Sequence, residues 1–392
     1  MIRAKQLGLH VVASDADEDA PGLCAADDRL VASTYDIDAT VKAASDYHQY
    51  VRPVDGVLCV ATDVPLTVAA VAMRLGLPGI PVASAQLAMD KVAMKDRFAA
   101  DGVPVPLYRA VSCAQDLEHA VRELGYPIVV KPVDSRGARG VLRFTRATDL
   151  NGAYQIARAQ SPTQRVMVER FLPGPQVSTE SLVLDGVAFT PGFSDRNYEY
   201  LERFAPHIIE NGGDLPSLLP LAVQNTVRTV IQRAAASLGV RNGVIKGDIV
   251  VSEGEVYVIE VAARLSGGYF CTHEIPLNTG VDFVGAAIRL ALGETIKPTE
   301  LLPKFQHYVC QRYWFANPGT VTGIAGVEAA RGLPGVQLLE LNVRPGQRIG
   351  PVNAHPARAG VVICTGDTRE RALARALTAI NTVQIEIGDA TT

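Results

Sequence analysis

Between Leu7 and Leu77 the chain alternates strand-like and helix-like runs, and that alternation limits its architecture more than any other feature. LGLHVVASDAD reads as a strand ending in acids, TVKAASDYHQYV as a helix, DGVLCVAT as a strand and VPLTVAAVAMRLGL as a second helix. Strands that recur with helices between them must pair in parallel through crossover connections. Ligands of such sheets collect at the carboxyl ends of the strands, which places Asp15 and Thr62–Asp63 there. The chain opens on a helix-like piece, IRAKQLG, where a doubly wound unit would carry a strand and a glycine-bearing turn. Either a natural start lies upstream or this copy lacks its first strand.

A length of 392 residues suits two or three domains. After the first section, expected over 1–83, the pattern is helical from Ser84 to Gly102, and Pro104 and Pro106 end it. Strand-like segments follow in YPIVV, RVMVERF and QVSTESLVLDG, then a helical stretch over 218–239, a hairpin, and the helix DFVGAAIRLALGE. These form a second section over 84–300, with a smaller subdomain over about 107–175. A third section, 301–392, holds the strand-like FQHYVCQRYWF, GVQLLELNV and AGVVICTGD and the helix RERALARALTAIN. The fold class expected is therefore α/β with an α+β remainder. Net charge is −4, so no basic surface points to nucleic acid, and no apolar run is long enough to span a membrane. Six scattered cysteines without a CxxC suit a reduced, cytoplasmic protein. Cys59 and Cys364 sit in apolar runs and read as core, and nothing beside Cys271 suggests an activated thiol.

The hairpin GDIVVSEGEVYVIEVAARLSGG, 247–268, poses an electrostatic problem. A three-residue loop at Glu253–Glu255 would set Asp248 opposite Glu260, with the side chains roughly 5 Å apart. Like charges at that distance repel, so a positive group must lie between them, or the acids are simply solvated. An oxygen-seeking divalent cation such as Mg²⁺ would serve.

Upstream, the strand YPIVV delivers Lys131 into a loop, DSRGARG, in which Gly137 and Gly140 allow backbone N–H groups to turn toward an anion. Lys131 would add a point charge on a phosphate. The loop is neither a GxxxxGK[ST] nor a GxGxxG motif, and a plain hairpin connection with surface arginines fits it equally. The segment RVMVERFLPGPQ stops at Pro173-Gly174 and leaves backbone groups around Glu169–Leu172 free to read a base edge in an apolar cleft. An interior strand and a turn would look the same. Lys91 lies in MDKVAMKDRF and gains interest only beside the other pieces. Its helical neighbour Lys95 reads as solvated.

Taken in order, these pieces resemble the ATP-grasp superfamily of carboxylate–amine ligases. They are Lys91, Lys131 with its glycine loop, Glu169 before a Pro-Gly turn, then Asp248, Glu260 and Arg264. The stretch EVAARLSGG is closest to the bacterial L-amino acid ligase-like branch. The resemblance implies a parallel-sheet N-terminal domain, a two-lobed ATP-grasp domain and a small C-terminal α+β part. It implies ATP as nucleotide and Mg²⁺, or Mn²⁺, as metal. Lys91 and Lys131 would hold phosphates under a lid running from Ser135 through Gly137 to Gly140. Glu169 and the backbone of Arg170, Phe171 and Leu172 would take adenine. Gln176 stands where many relatives have a glutamate on the ribose. Asp248 and Glu260 would hold metal, although Ala262 replaces a common metal-binding asparagine. Arg264 would stabilise an acyl phosphate, helped by the backbone of Ser266, Gly267 and Gly268.

Such a ligase makes a carboxylate reactive by phosphorylating it, a step that needs charge neutralisation and alignment and a lid that excludes water. Residues 194–217 are dense in polar and aromatic groups, and Asp195, Arg196 and Glu210 are the expected acceptor contacts. His273 reads as structural. The expected partners are a small carboxylate and an amine; proteins of this kind are often homodimers, and the sequence itself does not fix the assembly. A bicarbonate-using carboxylase and a catalytically degenerate ATP-binding protein remain alternatives.

Overall fold

The computed structural model describes residues 1–147 and 149–388; residue 148 and the last four residues of the third section lie outside it. Four sheets organise the described residues. The first pairs Val12–Asp15 with Asp28–Val31 in parallel, and the helices Ile37–Tyr50 and Pro65–Leu75 follow. The opening helix-like piece is a helix, Ile2–Gln6. DGVLCVAT does not form the strand expected of it. Among the described residues no strand offers it a ladder, and only Val60 pairs, in one bridge to Leu265. That bridge joins the first section to the residue after Arg264.

The helical stretch after Ser84 is two helices, Val82–Met89 and Lys91–Ala100. They break at Asp90, whose carboxylate accepts the amides of Val92 and Ala93 at 3.0 and 2.9 Å. This side-chain cap starts a new helix one residue before Lys91.

A four-stranded antiparallel sheet orders Tyr108–Val111, Val166–Arg170, Ile128–Pro132 and Leu142–Phe144. Helices Ala114–Leu124 and Leu150–Ala159 cover it through Leu117, Val121, Tyr154 and Ala157. Its register pairs Val129 with Glu169 and Lys131 with Met167. Period-two alternation therefore sets Lys131 and Glu169 on one face as diagonal neighbours.

An eight-stranded sheet forms the body. Glu255–Ala262, Gly243–Ser252, Gln176–Leu184, Val187–Asn197 and Gly212–Leu215 run from one edge. Tyr308–Trp314, Gly360–Gly366 and Val336–Leu341 continue it. The C-terminal residues thus extend the same sheet. Helix Leu221–Ser237 buries Val227, Ile231 and Ala234 against it, and helix Phe283–Ala291 contributes to a second core with Phe270 and Ile275. A three-stranded sheet of Arg348–Ile349, Gly319–Ala325 and Gln384–Gly388 completes the fold.

Candidate active site

A cavity of about 560 Å³ lies between the four-stranded sheet and the body. Its floor contains the hairpin of Gly243–Ser252 and Glu255–Ala262. Asp248 and Glu260 are register partners, as expected, but by another route. The turn has two residues, Glu253 and Gly254, both at positive φ (+53° and +85°), as the right-handed strand twist favours. A bulge between Asp248 and Ile249 then restores the pairing.

Protein cations compensate both acids. Asp248 Oδ1 lies 2.7 Å from Arg196 and also meets Lys246 Nζ. Ser178 donates to it at 3.2 Å. Burial works against the Asp248 carboxylate, but Arg196 and Lys246 outweigh it and hold its pKa well below the usual range. Glu260 Oε1 sits 3.2 Å from Lys91 Nζ. Lys91, Arg196 and Lys246 thus supply positive charge of the kind the pairing of Asp248 with Glu260 requires, and that pairing does not by itself point to a metal. The contacts to Asp248 all fall on Oδ1, leaving Oδ2 for another partner among the described residues.

Lys91 is buried and also donates to the Ser135 carbonyl at 2.7 Å, so one side chain ties the glycine loop to the hairpin. In that loop Gly137 and Gly140 have φ of +61° and +69°. The Gly137 carbonyl accepts the His355 amide at 3.0 Å, and the Arg136 guanidinium stacks 4.1 Å from the Tyr35 ring. The loop is held closed from both sides.

Lys131 Nζ reaches Glu169 Oε1 at 2.5 Å. Lys95 approaches Glu169 Oε2 at 3.0 Å and is fully buried. The solvated role expected of Lys95 is thus incorrect, because its helix face turns onto the sheet that carries Glu169. Burial opposes the Glu169 charge, but Lys131 and Lys95 overcome it and lower its pKa. Burial lowers the Lys95 pKa to about 8 against the pull of Glu169. The Arg170 guanidinium is turned away and donates to the Leu124 carbonyl at 2.8 Å. Phe171, Leu172 and Gln176 line the cavity. The Leu172 amide has no acceptor among the described residues.

Arg264 projects into the cavity with its Nε 2.6 Å from Asp63 Oδ1. Burial would weaken its charge, and Asp63 strengthens it more. The amides after it are not equivalent. Ser266 N–H donates to buried Glu180 Oε1 at 2.9 Å, so it cannot serve a ligand as expected. The Gly267 and Gly268 amides have no acceptor among the described residues.

Alternation along Val187–Asn197 sorts the acceptor candidates. Ser194, Arg196 and Tyr198 line the cavity. Asp195 faces the other way, bound by Leu218 N–H at 2.8 Å and Arg369 at 2.9 Å, and is not brought to the site. Glu210 lines the cavity, 3.0 Å from Arg196. His273 is outside the cavity, beside the Thr272 hydroxyl at 2.9 Å. Cys271 is buried and burial raises its thiol pKa, in accord with an inert thiol. Cys364 is buried and Cys59 half-buried. The C-terminal residues Gln311, Tyr313, His355 and Arg358 also line the cavity. Sequence reasoning missed them, together with Glu180, Glu274 and the partnership of Asp63 with Arg264. Only Asp63 carried a signal, its place at the end of an apolar run.

Residues 90–299, more than half of the chain, match the family described as the carbamoyl-phosphate synthase L chain, ATP binding domain. The chain belongs to the ATP-grasp family of carbon–nitrogen ligases. In this ATP-grasp ligase, residues 1–79 match the ATP-grasp N-terminal domain and 312–388 the L-amino acid ligase C-terminal domain 2. It is 29% identical over 382 residues to the uncharacterized protein y4rH of Sinorhizobium fredii, covering 94% of this chain and 76% of that one. It is 32% identical over 199 residues to a D-alanine–D-alanine ligase of Gloeobacter violaceus, covering 48% of this chain and 63% of that enzyme. The fold is similar to that of an L-amino acid ligase from Bacillus licheniformis, with a TM-score of 0.84 at 22% identity over 99% of this chain and 95% of that one. No helix among the described residues is long and apolar enough to cross a membrane.

Proposed function

We propose that this ATP-grasp ligase activates a small carboxylic acid, an amino acid being the leading class, as an acyl phosphate and joins it to an amine, releasing ADP and phosphate. One observation carries the reading. Lys91, Lys131, Asp248, Glu260 and Arg264, from separate elements, converge on a single cavity.

The residues fit a magnesium-bound nucleotide. Mg²⁺ is commonly held by one or two carboxylates, with phosphate oxygens and waters completing its shell. Asp248 Oδ2 and the half-exposed Glu260 match that pattern, and no cluster of three or more protein ligands exists among the described residues. Mg²⁺ bound there would neutralise charge on the β- and γ-phosphates. Lys91 and Lys131 would hold the phosphates, and the lid from Ser135 to Gly140 would exclude water. The free Leu172 amide and the ring of Phe171 would take the base, with Gln176 on the ribose. Arg264 and the Gly267 and Gly268 amides would face the oxyanion of the acyl phosphate. Arg196 and Glu210 would contact the acceptor. The sections 1–83, 84–300 and 301–392 are the units we assign to these parts.

The test is a coupled assay of nucleotide products over pairs of amino acids with MgATP. ADP that forms only when an acid and an amine are both present supports the reading. AMP and pyrophosphate, or ADP formed with bicarbonate alone, would end it.

A further inference from the structure

We propose that Glu274 is a recognition group for a substrate ammonium, which assigns an amino-acid or primary-amine class to the part of the cavity it lines. The proposal rests on the ligase reading only in naming what binds there; the site itself follows from geometry.

Glu274 closes a π-helical turn, Phe270–Glu274, in which its amide bonds the Tyr269 carbonyl at 3.1 Å. Such turns often mark functional positions. The next residue, Ile275, packs so tightly on the sheet that a Cβ on Gly192 would lie 2.6 Å from it, and this anchors Glu274. The side chain is 2% exposed and lines the cavity.

The neighbouring acids have cations. Asp214 pairs with Arg312 at 3.2 Å, and Glu210 pairs with Arg196 at 3.0 Å. Glu274 has none: no lysine, arginine or histidine nitrogen lies within 4.0 Å of its carboxylate among the described residues. Burial, with Glu210 and Asp214 nearby, raises its pKa well above the ordinary value, and Arg312 only partly offsets them. Without a cation the buried group keeps its proton, and an incoming ammonium, by pairing with the ionised form, would release that proton to solvent and gain a charge-assisted hydrogen bond.

A glycine lies beside the carboxylate. A Cβ on Gly213 would lie 3.8 Å from Glu274 Oε2 and 2.6 Å from Ser194 Oγ. A larger residue there would displace the Ser194 hydroxyl and crowd the space beside the carboxylate. Gly213 and Ser194 line the same cavity.

The experiment is calorimetric titration of the MgADP-loaded protein with the common L-amino acids and with their matched 2-hydroxy acids. The wild type should bind at least one amino acid about 10- to 100-fold more tightly than its hydroxy analogue, the range for a hydrogen bond to a charged group. Glu274→Gln should abolish that preference while keeping MgADP affinity. Gly213→Ala, which keeps the carboxylate but crowds the space beside it, should weaken the same amino acid and serves if the first variant does not fold. A preference retained in both variants, or no amino acid bound by the wild type, overturns the proposal. Amino-acid-dependent ADP release that persists unchanged in Glu274→Gln would remove the ammonium site and leave the ligase reading intact. ADP release driven by bicarbonate alone, with the binding preference still lost in the variant, would do the reverse.

Discussion

Asp63 and Arg264 are 201 residues apart in sequence, and the Arg264 Nε meets the Asp63 carboxylate at 2.6 Å. A second link runs beside it, the Ala61 amide donating to the Leu265 carbonyl at 3.0 Å. The N-terminal section therefore fixes the orientation of an arginine carried by the body. Asp63→Asn keeps the size and removes the charge. It should lower kcat about 10- to 100-fold, as misplacement of a catalytic group does, while KM for ATP stays within about threefold. Steady-state kinetics checks this, and a parallel rise in KM would assign Asp63 to nucleotide binding instead.

Glu180 gives the fold a pH dependence. Its carboxyl is fully buried, accepts the Ser266 amide, and is pushed up to about 7 by burial. A carboxyl whose folded pKa exceeds its unfolded value binds more protons folded than unfolded. Its contribution to stability is therefore favourable below about pH 4.5 and is lost as pH rises toward 7. Glu180→Gln still accepts the amide but does not ionise. It should gain stability relative to wild type between pH 5 and 7.5, by up to about 3 kcal/mol. Denaturant unfolding at the two pH values measures the difference, and a constant offset would contradict it.

Lys95 is a structural cation. Replacing it with Met leaves Glu169 with Lys131 alone. Breaking a buried ion pair costs about 3–5 kcal/mol, and the remaining partner at 2.5 Å should hold the loss to about 2–4 kcal/mol. Thermal unfolding would show it. A loss below about 0.5 kcal/mol, the surface-pair range, would return Lys95 to solvent.

The hairpin turn offers a gain. Glu253 adopts φ of +53°, where a non-glycine residue other than Asn or Asp is disfavoured. Glu253→Asn should stabilise the protein by about 0.5–1 kcal/mol without changing kcat, since Glu253 lies at the turn and outside the cavity. A destabilised variant would argue against the two-residue turn.

What the sequence disclosed follows the range of the forces involved. Lys131, Glu169, Asp248 and Glu260 were legible because each sits at a fixed place in a strand or turn, and their order along the chain carries the resemblance. Asp195 was misjudged by a one-residue phase, since period-two alternation sends 194 and 196 to the cavity and 195 away. Lys95 was misjudged because a helical lysine shows its face only once the sheet is in place. Glu274, Tyr313 and Arg358 reach the cavity, and Glu180 reaches the Ser266 amide, through contacts distant in sequence; Tyr313 lies on, and Arg358 just before, C-terminal strands that pair into the same sheet. No local pattern encodes that pairing. DGVLCVAT was strand-like in composition and lacked only a neighbour to pair with.

The central claim is an acyl phosphate formed in the cavity that holds Lys131, Glu260 and Arg264. Isotope transfer tests it most directly, with both carboxylate oxygens of the amino-acid substrate labelled as ¹⁸O and the reaction run with MgATP. One labelled oxygen should appear in each phosphate released together with ADP, and replacing Glu260 by Ala should abolish the transfer. Unlabelled phosphate accompanying peptide or amide product, or label appearing in AMP, would contradict the account.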